Sequence, residues 1–197
     1  VDQEIDDLVQ ALRVLPGVGI KSARRMALHL LERNRPGAIR LALALQVAVD
    51  RVGHCEICRT LTTASVCPIC ADEGREDDVI CVVETPGDVL AILKATGFKG
   101  KFHVLLGLLS PIDGIGPKEL GLDRLQERIR QTPVRELILA MASSVEGDVT
   151  AHYLGEMAAA ENVRATRIAR GIPSGGELEY LDAGTLHHAF SGRRVLE

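Results

Sequence analysis

Four cysteines fall within sixteen consecutive positions, as Cys55-x2-Cys58 and Cys67-x2-Cys70. Each Cys-x-x-Cys bends the backbone into a knuckle that aims two sulfurs at one point. Two knuckles complete a tetrahedral thiolate site. All four ligands come from the protein, so the site is closed, and the expected metal is one structural Zn²⁺ per chain. Thiolate–zinc bonding lets about twenty residues fold with little core of their own, contributing roughly 10 kcal/mol or more. Redox pairs or two disulfides are the alternatives at this spacing. A cluster of this kind belongs to a reducing compartment. The fifth cysteine, Cys81, lies in an apolar run and reads as a buried bystander, and His54 beside the first knuckle is not needed as a ligand.

A metal module at 54–72 forces the 197-residue chain to divide around it. On its N-terminal side, in segment 1–53, Ile5, Leu8, Val9 and Leu12 repeat at helical spacing and end at Leu15-Pro16-Gly17-Val18-Gly19. A second stripe follows at Ala23, Met26, Ala27, Leu30 and Leu31. Asn34-Arg35-Pro36-Gly37 stops that helix, and a third is expected over Ala38 to Arg51. In segment 78–170 the texture alternates. Strands are expected at Ile80–Val83, His103–Leu106, Val134–Met141 and Val163–Ile168, and helices at Pro86–Ala95, Lys118–Arg130 and Val149–Glu161. That alternation predicts a mainly parallel sheet with helices on both faces. The tail, 171–197, is turn-rich with one short helix. The expected class is an α+β chain of four parts: helical hairpin, zinc module, α/β domain and C-terminal segment.

Charge narrows the function. Twenty-seven acids against 23 Lys and Arg give a net charge of −4, so nucleic acid can be held only by a local patch. Aromatic residues at 3% argue against base stacking as the main grip on single strands. The longest nearly apolar run, Leu41 to Val49, is interrupted by Gln46 and is too short to span a bilayer. Asp2, Glu4, Asp6 and Asp7 leave no basic-then-apolar signal pattern, so a cytosolic protein without membrane association is expected.

One local patch exists. Between Arg13 and Arg40 stand seven basic residues (Arg13, Lys21, Arg24, Arg25, Arg33, Arg35 and Arg40) against one acid, Glu32, a local charge of +6. Gly17 and Gly19 precede the second helix, whose leading N–H groups and dipole form a natural seat for phosphate. Ile20 before Lys21 and the wrong glycine spacing exclude a Walker A loop. The stretch resembles the helix-hairpin-helix motif, which grips the DNA backbone without reading sequence. The bland alternative is an αα-hairpin with a glycine turn and a solvated basic face.

Ile80-Cys-Val-Val-Glu84-Thr-Pro-Gly-Asp88 is a hydrophobic strand that ends in a carboxylate and runs into a helix. It resembles the Toprim domain of topoisomerases and primases, in which a Glu, an Asp-x-Asp pair and a Glu-Gly-Glu-like run hold Mg²⁺ for phosphoryl transfer. Here Ala142 and Ser144 occupy the Asp-x-Asp positions, and neither can offer a charged oxygen. Glu84, Asp88, Glu146 and Asp148 remain, so weak Mg²⁺ binding is left open while a two-metal clamp is excluded. The loss argues against nuclease, primase or topoisomerase chemistry, and neither Tyr153 nor Tyr180 sits where a covalent nucleophile is expected. Glu84 and Asp88 serve equally well as helix N-terminal residues, worth about 1 kcal/mol at most.

Taken in order, these strings resemble the RecR family of bacterial recombination mediators over nearly the whole chain. They are Leu15-Pro-Gly-Val-Gly-Ile-Lys-Ser-Ala23, the four cysteines, His103-Val-Leu, Leu109-Ser-Pro-Ile-Asp-Gly-Ile-Gly-Pro117, Val145-Glu-Gly-Asp148 and Arg167-Ile-Ala-Arg-Gly-Ile-Pro-Ser-Gly-Gly-Glu-Leu-Glu-Tyr180. The chain departs in two places: Ile20 stands where the family usually has Pro, and Met141-Ala-Ser-Ser144 replaces a more polar stretch. The resemblance implies a non-enzymatic protein that works with RecO, and often RecF, to load RecA onto single-stranded DNA coated by SSB. It implies dimers or tetrameric rings with DNA-contacting hairpins facing the hole, and binding to single- and double-stranded DNA alike. It also places the protein with the bacterial nucleoid. On that analogy Lys21, Arg24, Arg25 and the turn glycines Gly17 and Gly19 contact DNA, and the apolar faces of the hairpin and tail are assembly surfaces. The alternative reading is a Mg²⁺-dependent Toprim nuclease or primase using Glu84, Glu146 and Asp148. A third is a zinc-stapled scaffold that binds only protein.

Overall fold

In the computed structural model, which describes residues 2–193, the chain divides between Val52 and Gly53 into two units. Val1 and 194–197, the ends of the first and last expected segments, lie outside the described residues. The first unit is α1 (Gln3–Leu12), α2 (Ile20–Arg33) and α3 (Arg35–Arg51). Val9, Ala23 and Ala27 are its buried centre, with Leu8, Leu12 and Val18 packed around them. Met26, expected in the same stripe, is 38% exposed, because the ten-residue α1 packs along the Ala23–Ala27 line and leaves its flank uncovered. The third helix starts three residues before the expected Ala38. The Asn34 side chain accepts a 3.0 Å hydrogen bond from the Gly37 N–H, and Pro36 sits in the first turn, where its missing N–H costs nothing. Asn-Arg-Pro-Gly therefore opens one helix as it closes another. No described residue of α3 is buried, although the helix is largely apolar.

The second unit opens with the zinc-module elements β1 (Gly53–His54), β2 (Leu61–Thr62) and α4 (Pro68–Ala71). It continues with β3 (Glu76–Val83), α5 (Pro86–Thr96), β4 (Gly100–Val104), α6 (Leu122–Gln131), β5 (Glu136–Ala140), α7 (Val145–Ala160) and β6 (Arg164–Arg167). The tail holds a 3-10 turn at Leu178–Tyr180 and α8 (Ala183–Ser191). Strands β3 to β6 form one sheet in the order β4-β3-β5-β6, with every pairing parallel. Alternate residues face opposite helices, as period-two side chains must. Ile80, Val82, Leu137 and Leu139 pack with Leu125 and Ile129 of α6 and Leu154 of α7. Cys81, Val83, Phe102 and Val104 pack with Val89 of α5 on the other side. Burial pushes the Cys81 thiol up to about 12, so it stays protonated, as a core residue does. No helix among the described residues is long and apolar enough to cross a membrane.

Several boundaries move, each for a local reason. The second strand lies at Gly100–Val104 instead of 103–106, since Leu106 takes φ +65° and leaves the extended region. The helix expected from Lys118 begins at Leu122, after Gly121 turns the chain at φ +64°. The helix expected from Val149 begins a full turn earlier, at Val145, because the Ser144 hydroxyl accepts from the Gly147 N–H at 3.0 Å. Glu146 and Asp148 therefore stand in a first helical turn, not a loop. Gly147 is itself buried, and a Cβ there would overlap the Ala142 carbonyl oxygen. Gly147→Ala is expected to destabilise the fold by about 1–3 kcal/mol, the usual cost of forcing a methyl into filled space. An unchanged midpoint in urea unfolding would contradict that reading.

Candidate metal centre and nucleic-acid interface

The four sulfurs Cys55, Cys58, Cys67 and Cys70 all lie within 4.8 Å of one another. Three are 1% exposed and Cys70 is half-buried. Two local devices converge them. After Cys55 the chain turns through Arg59 at φ +65°, with the Cys55 N–H donating to the Thr60 carbonyl at 2.8 Å. After Cys67, Pro68 opens α4, and the Cys70 N–H donates to the Cys67 Sγ at 3.4 Å. The Cys67 N–H likewise donates to the Cys55 Sγ at 3.3 Å. Such N–H···S bonds favour thiolate over thiol. Burial raises the Cys55 thiol, but the N–H groups of Cys67, Cys58 and Ile57 outweigh it and bring it down to about 7. Cys58 moves the other way, pushed up by its hydrogen bond with Cys70 and by burial. The Cys58 and Cys67 sulfurs are 3.5 Å apart. That is far beyond a disulfide bond of about 2.05 Å and close to the roughly 3.8 Å edge of a tetrahedron with 2.3 Å zinc–sulfur bonds. The donor set fits a structural Zn²⁺.

The module is fastened to the edge strand β4. Lys101, 4% exposed, donates to the carbonyls of Ile69, Cys70 and Asp72 at 3.3, 3.0 and 2.7 Å. The Val104 N–H donates to the Cys58 carbonyl at 2.8 Å, and Arg59 donates to the Leu120 carbonyl. Half-buried Arg128 donates to the Phe102 carbonyl at 2.7 Å. Burial pulls its pKa down, and the negative sulfurs of Cys70, Cys58 and Cys55 pull it back. His103 is fully buried among these cations, and burial together with Arg128, Arg59 and Arg124 pushes it down to about 3, so the ring is neutral. Sequence reasoning missed this fastening. The available signal is the alternation in Lys101-Phe-His-Val104, which puts two polar residues on one face of a strand that reads as buried.

The first unit carries the basic face. Lys21, Arg24 and Arg25 are all exposed and line one groove along α2 together with Leu28, His29 and Arg33. Lys21 and Arg25 are one helical turn apart on the same side. Gly17 has φ +77°, which an L side chain resists, so the turn itself requires it. Gly19 is different: its backbone is ordinary (φ −80°), and a Cβ there would meet nothing in the chain. Its lack of a side chain matters only to something approaching from outside. As N-cap it offers no oxygen to the leading N–H groups of α2, whereas Asn34, Thr85, Ser144 and Asp182 cap their helices. Uncapped N–H groups beside three cations are the local chemistry of phosphate binding.

The four acidic residues of the Toprim-like face do not gather. Glu84 directly follows β3, half-buried, and lines a cleft with Asp88, Ala140 and Ala142. Asp88 is spent on a capping box: its carboxylate accepts from the Thr85 N–H and hydroxyl at 2.8 Å each, and its N–H donates to the Thr85 hydroxyl. Glu146 is exposed on the first turn of α7. Asp148 accepts from Arg170 and Arg167, which hold its carboxyl below the usual range. Among the described residues the one convergent set of possible metal ligands is the four thiols. Mg²⁺ binding thus finds no support in the arrangement of side chains.

Four stretches match known families: residues 5–49 the RecR helix-hairpin-helix, 52–72 the RecR four-cysteine zinc finger domain, 78–169 the Toprim domain, and 171–194 the RecR C-terminal region. Among curated proteins, the recombination protein RecR of Methylococcus capsulatus is 58% identical over 96% of both chains. That of Xanthomonas campestris is 57% identical over 96% of both. The RecR of Halorhodospira halophila is 56% identical over 97% of this chain and 95% of its own.

Proposed function

The chain belongs to the RecR family of recombination proteins, and from that premise we propose that it is a non-enzymatic mediator which binds DNA through α2. A role in recombination and repair comes with the family. The finer reading is that it acts with RecO, as family members often do with RecF as well, to load RecA onto SSB-coated single strands at the bacterial nucleoid. The observation that carries the DNA-binding part is the uncapped start of α2, flanked by Lys21, Arg24 and Arg25 in a protein whose net charge is −4. An overall negative charge sets the rest of the surface against DNA, so binding is local and oriented. Grip on the sugar-phosphate backbone suits a mediator, which must act on any sequence. Assembly into a homo-oligomer fits α3, where Ile39, Leu43 and Val49 are each more than 60% exposed. Apolar surface of that kind favours a protein partner. In a dimer or ring, several weakly binding hairpins act on one strand and raise effective concentration.

The Toprim-like face is read as catalytically silent. Ala142 replaces a metal-binding carboxylate, Ser144 is the α7 cap, and Asp88 and Asp148 are bound to their own neighbours. Glu84→Ala is expected to leave DNA affinity within a few-fold, since a carboxylate offers nothing attractive to phosphate. Incubation of single- and double-stranded DNA with Mg²⁺ or Mn²⁺ should give no cleavage. Nicking that disappears in Glu84→Gln would establish the nuclease alternative instead. If Glu84→Ala abolished RecA loading while zinc content and DNA binding survived, the face would serve a protein partner, RecO first.

A further inference from the structure

We propose that Arg167, Arg170, His188 and Ser143 form a site for a phosphate group, in the cleft where the ends of β5 and β6 meet the tail helix α8. The cleft holds about 270 Å³ and is lined by these four with Met141 and Thr185, among others. Among the described residues no acidic side chain lines it, and its fixed charges are the two arginines. Their side chains are only 26% and 20% exposed, too covered for ordinary solvated surface cations. Arginines that are half withdrawn from water need a counter-charge, and among the described residues the one carboxylate that reaches these two is shared; Arg167 also donates to the Ala142 carbonyl at 3.4 Å. Both guanidinium groups converge on the same oxygen, Oδ1 of Asp148, Arg167 at 2.7 Å. Two cations sharing one carboxylate leave an excess of one positive charge, and Arg170 Nη1 also lies 3.5 Å from His188 Nε2.

The chemistry that answers this is a compact oxyanion with several acceptor oxygens. A guanidinium presents paired N–H donors in a plane and binds phosphate in a fork, while the Ser143 hydroxyl can donate alongside; the Thr185 hydroxyl is already given to Asp182 at 2.6 Å. The volume falls just under the 300–1,000 Å³ usual for drug-sized ligands, so it suits one phosphate group better than a base or sugar. The cleft lies beyond the carboxyl ends of β5 and β6, one strand away from the β3–β5 junction where the strand order reverses. Asp148, 48% exposed at the rim, acts as an internal stand-in that a phosphate would displace in part. The phosphate has two possible sources, a free phosphate or a DNA strand, and the experiment separates them.

The test is thermal unfolding of the full, zinc-loaded chain against rising inorganic phosphate, with sodium chloride at matched ionic strength as reference. A saturable rise in Tm is expected beyond the chloride response. Arg167→Gln and Arg170→Gln should each weaken half-saturation by about tenfold or more, as loss of a charged hydrogen bond does. Asp148→Asn should tighten it, because the internal competitor is gone. A cluster that merely pins the tail predicts the reverse: Asp148→Asn would lower Tm and add nothing to the phosphate response. That outcome, or no response beyond chloride in the natural chain and in Asp148→Asn, overturns the site. So does an undiminished response in both arginine variants. If the arginine variants melt early in chloride alone, Ser143→Asp carries the test: it sets a carboxylate in an exposed position on the cleft and should abolish the response. For the source, two single strands are compared that differ only in a 5′-phosphate. A preference for the phosphorylated strand that Arg170→Gln loses and Lys21→Ala keeps identifies a strand end. Equal affinity with the phosphate response intact identifies free phosphate.

Discussion

Cys55→Ala or Cys70→Ala is expected to unfold far more than the cysteine module. A structural zinc site contributes roughly 10 kcal/mol or more, while a whole domain is typically stable by only about 5–15 kcal/mol. The module has little else to hold it, since its buried centre is the cysteines themselves with Val66 and Ile69 at the margin. Its loss then propagates. Lys101 would be stripped of the three carbonyls that satisfy its ammonium inside the protein, and Val104 of its bond to Cys58. The Lys101 ammonium would be left with Asp77 of β3 alone, 3.4 Å away, and a buried ammonium short of acceptors is costly. The half-buried Arg128 would keep its carbonyl but not the negative sulfurs opposite. Far-UV circular dichroism should therefore show loss of sheet and helix together, and chelation at neutral pH should do the same to the natural chain. Protein purified without chelator should carry one zinc per chain. A stoichiometry near zero with the α/β fold intact would defeat this account.

The second large effect concerns DNA. Lys21→Ala with Arg25→Ala is expected to reduce DNA affinity steeply and by a similar factor for unrelated sequences, because phosphate binding carries no base information. Each phosphate no longer neutralised should lower the slope of log affinity against log salt by about 0.9 on duplex or roughly 0.7 on single strands. In an assembly of several chains these decrements add, so the double variant should fall below detection at moderate salt while its melting temperature holds. Stability should hold because both side chains are exposed and the unit is centred on Val9, Ala23 and Ala27. Gly19→Ala makes a finer probe: its backbone is ordinary and a methyl meets nothing in the chain, so weakened binding without destabilisation would place the phosphate at the turn. Full affinity and slope in the double variant would move the interface to Arg33, Arg35 and Arg40.

How much of this was legible in the sequence depends on the range of the interactions. The cysteine cluster was, because two knuckles define a site from spacing alone. The parallel sheet was, because alternating apolar runs and amphipathic stretches leave few topologies. Helix starts were less so. Asn34 and Ser144 each cap a helix that the apolar pattern alone would begin three or four residues later, since a cap acts through one hydrogen bond and leaves no periodic trace. The arginine cleft was not legible at all. Arg167 and Arg170 meet Asp148 across about twenty residues of intervening chain, and only the parallel placement of β5 and β6 brings them together. The same holds for Lys101, whose acceptors lie about thirty residues earlier.

The seating of the zinc module on β4 has a consequence for the fate of the chain when metal is scarce. An edge strand presents a row of bare amides and carbonyls, a template on which another chain can add. Here Lys101, the Val104 amide and the Phe102 carbonyl are all engaged by the module or by Arg128. Metal loss would uncover Gly-Lys-Phe-His-Val and the Leu105-Leu106 that follows, a short run with one charge and no proline. Runs of that composition pair readily across molecules. Zinc starvation should therefore be seen first as insoluble protein whose aggregates bind amyloid-type dyes, before any loss of recombination is measurable. A bound ion that most directly organises four sulfurs would then also act as a guard against aggregation.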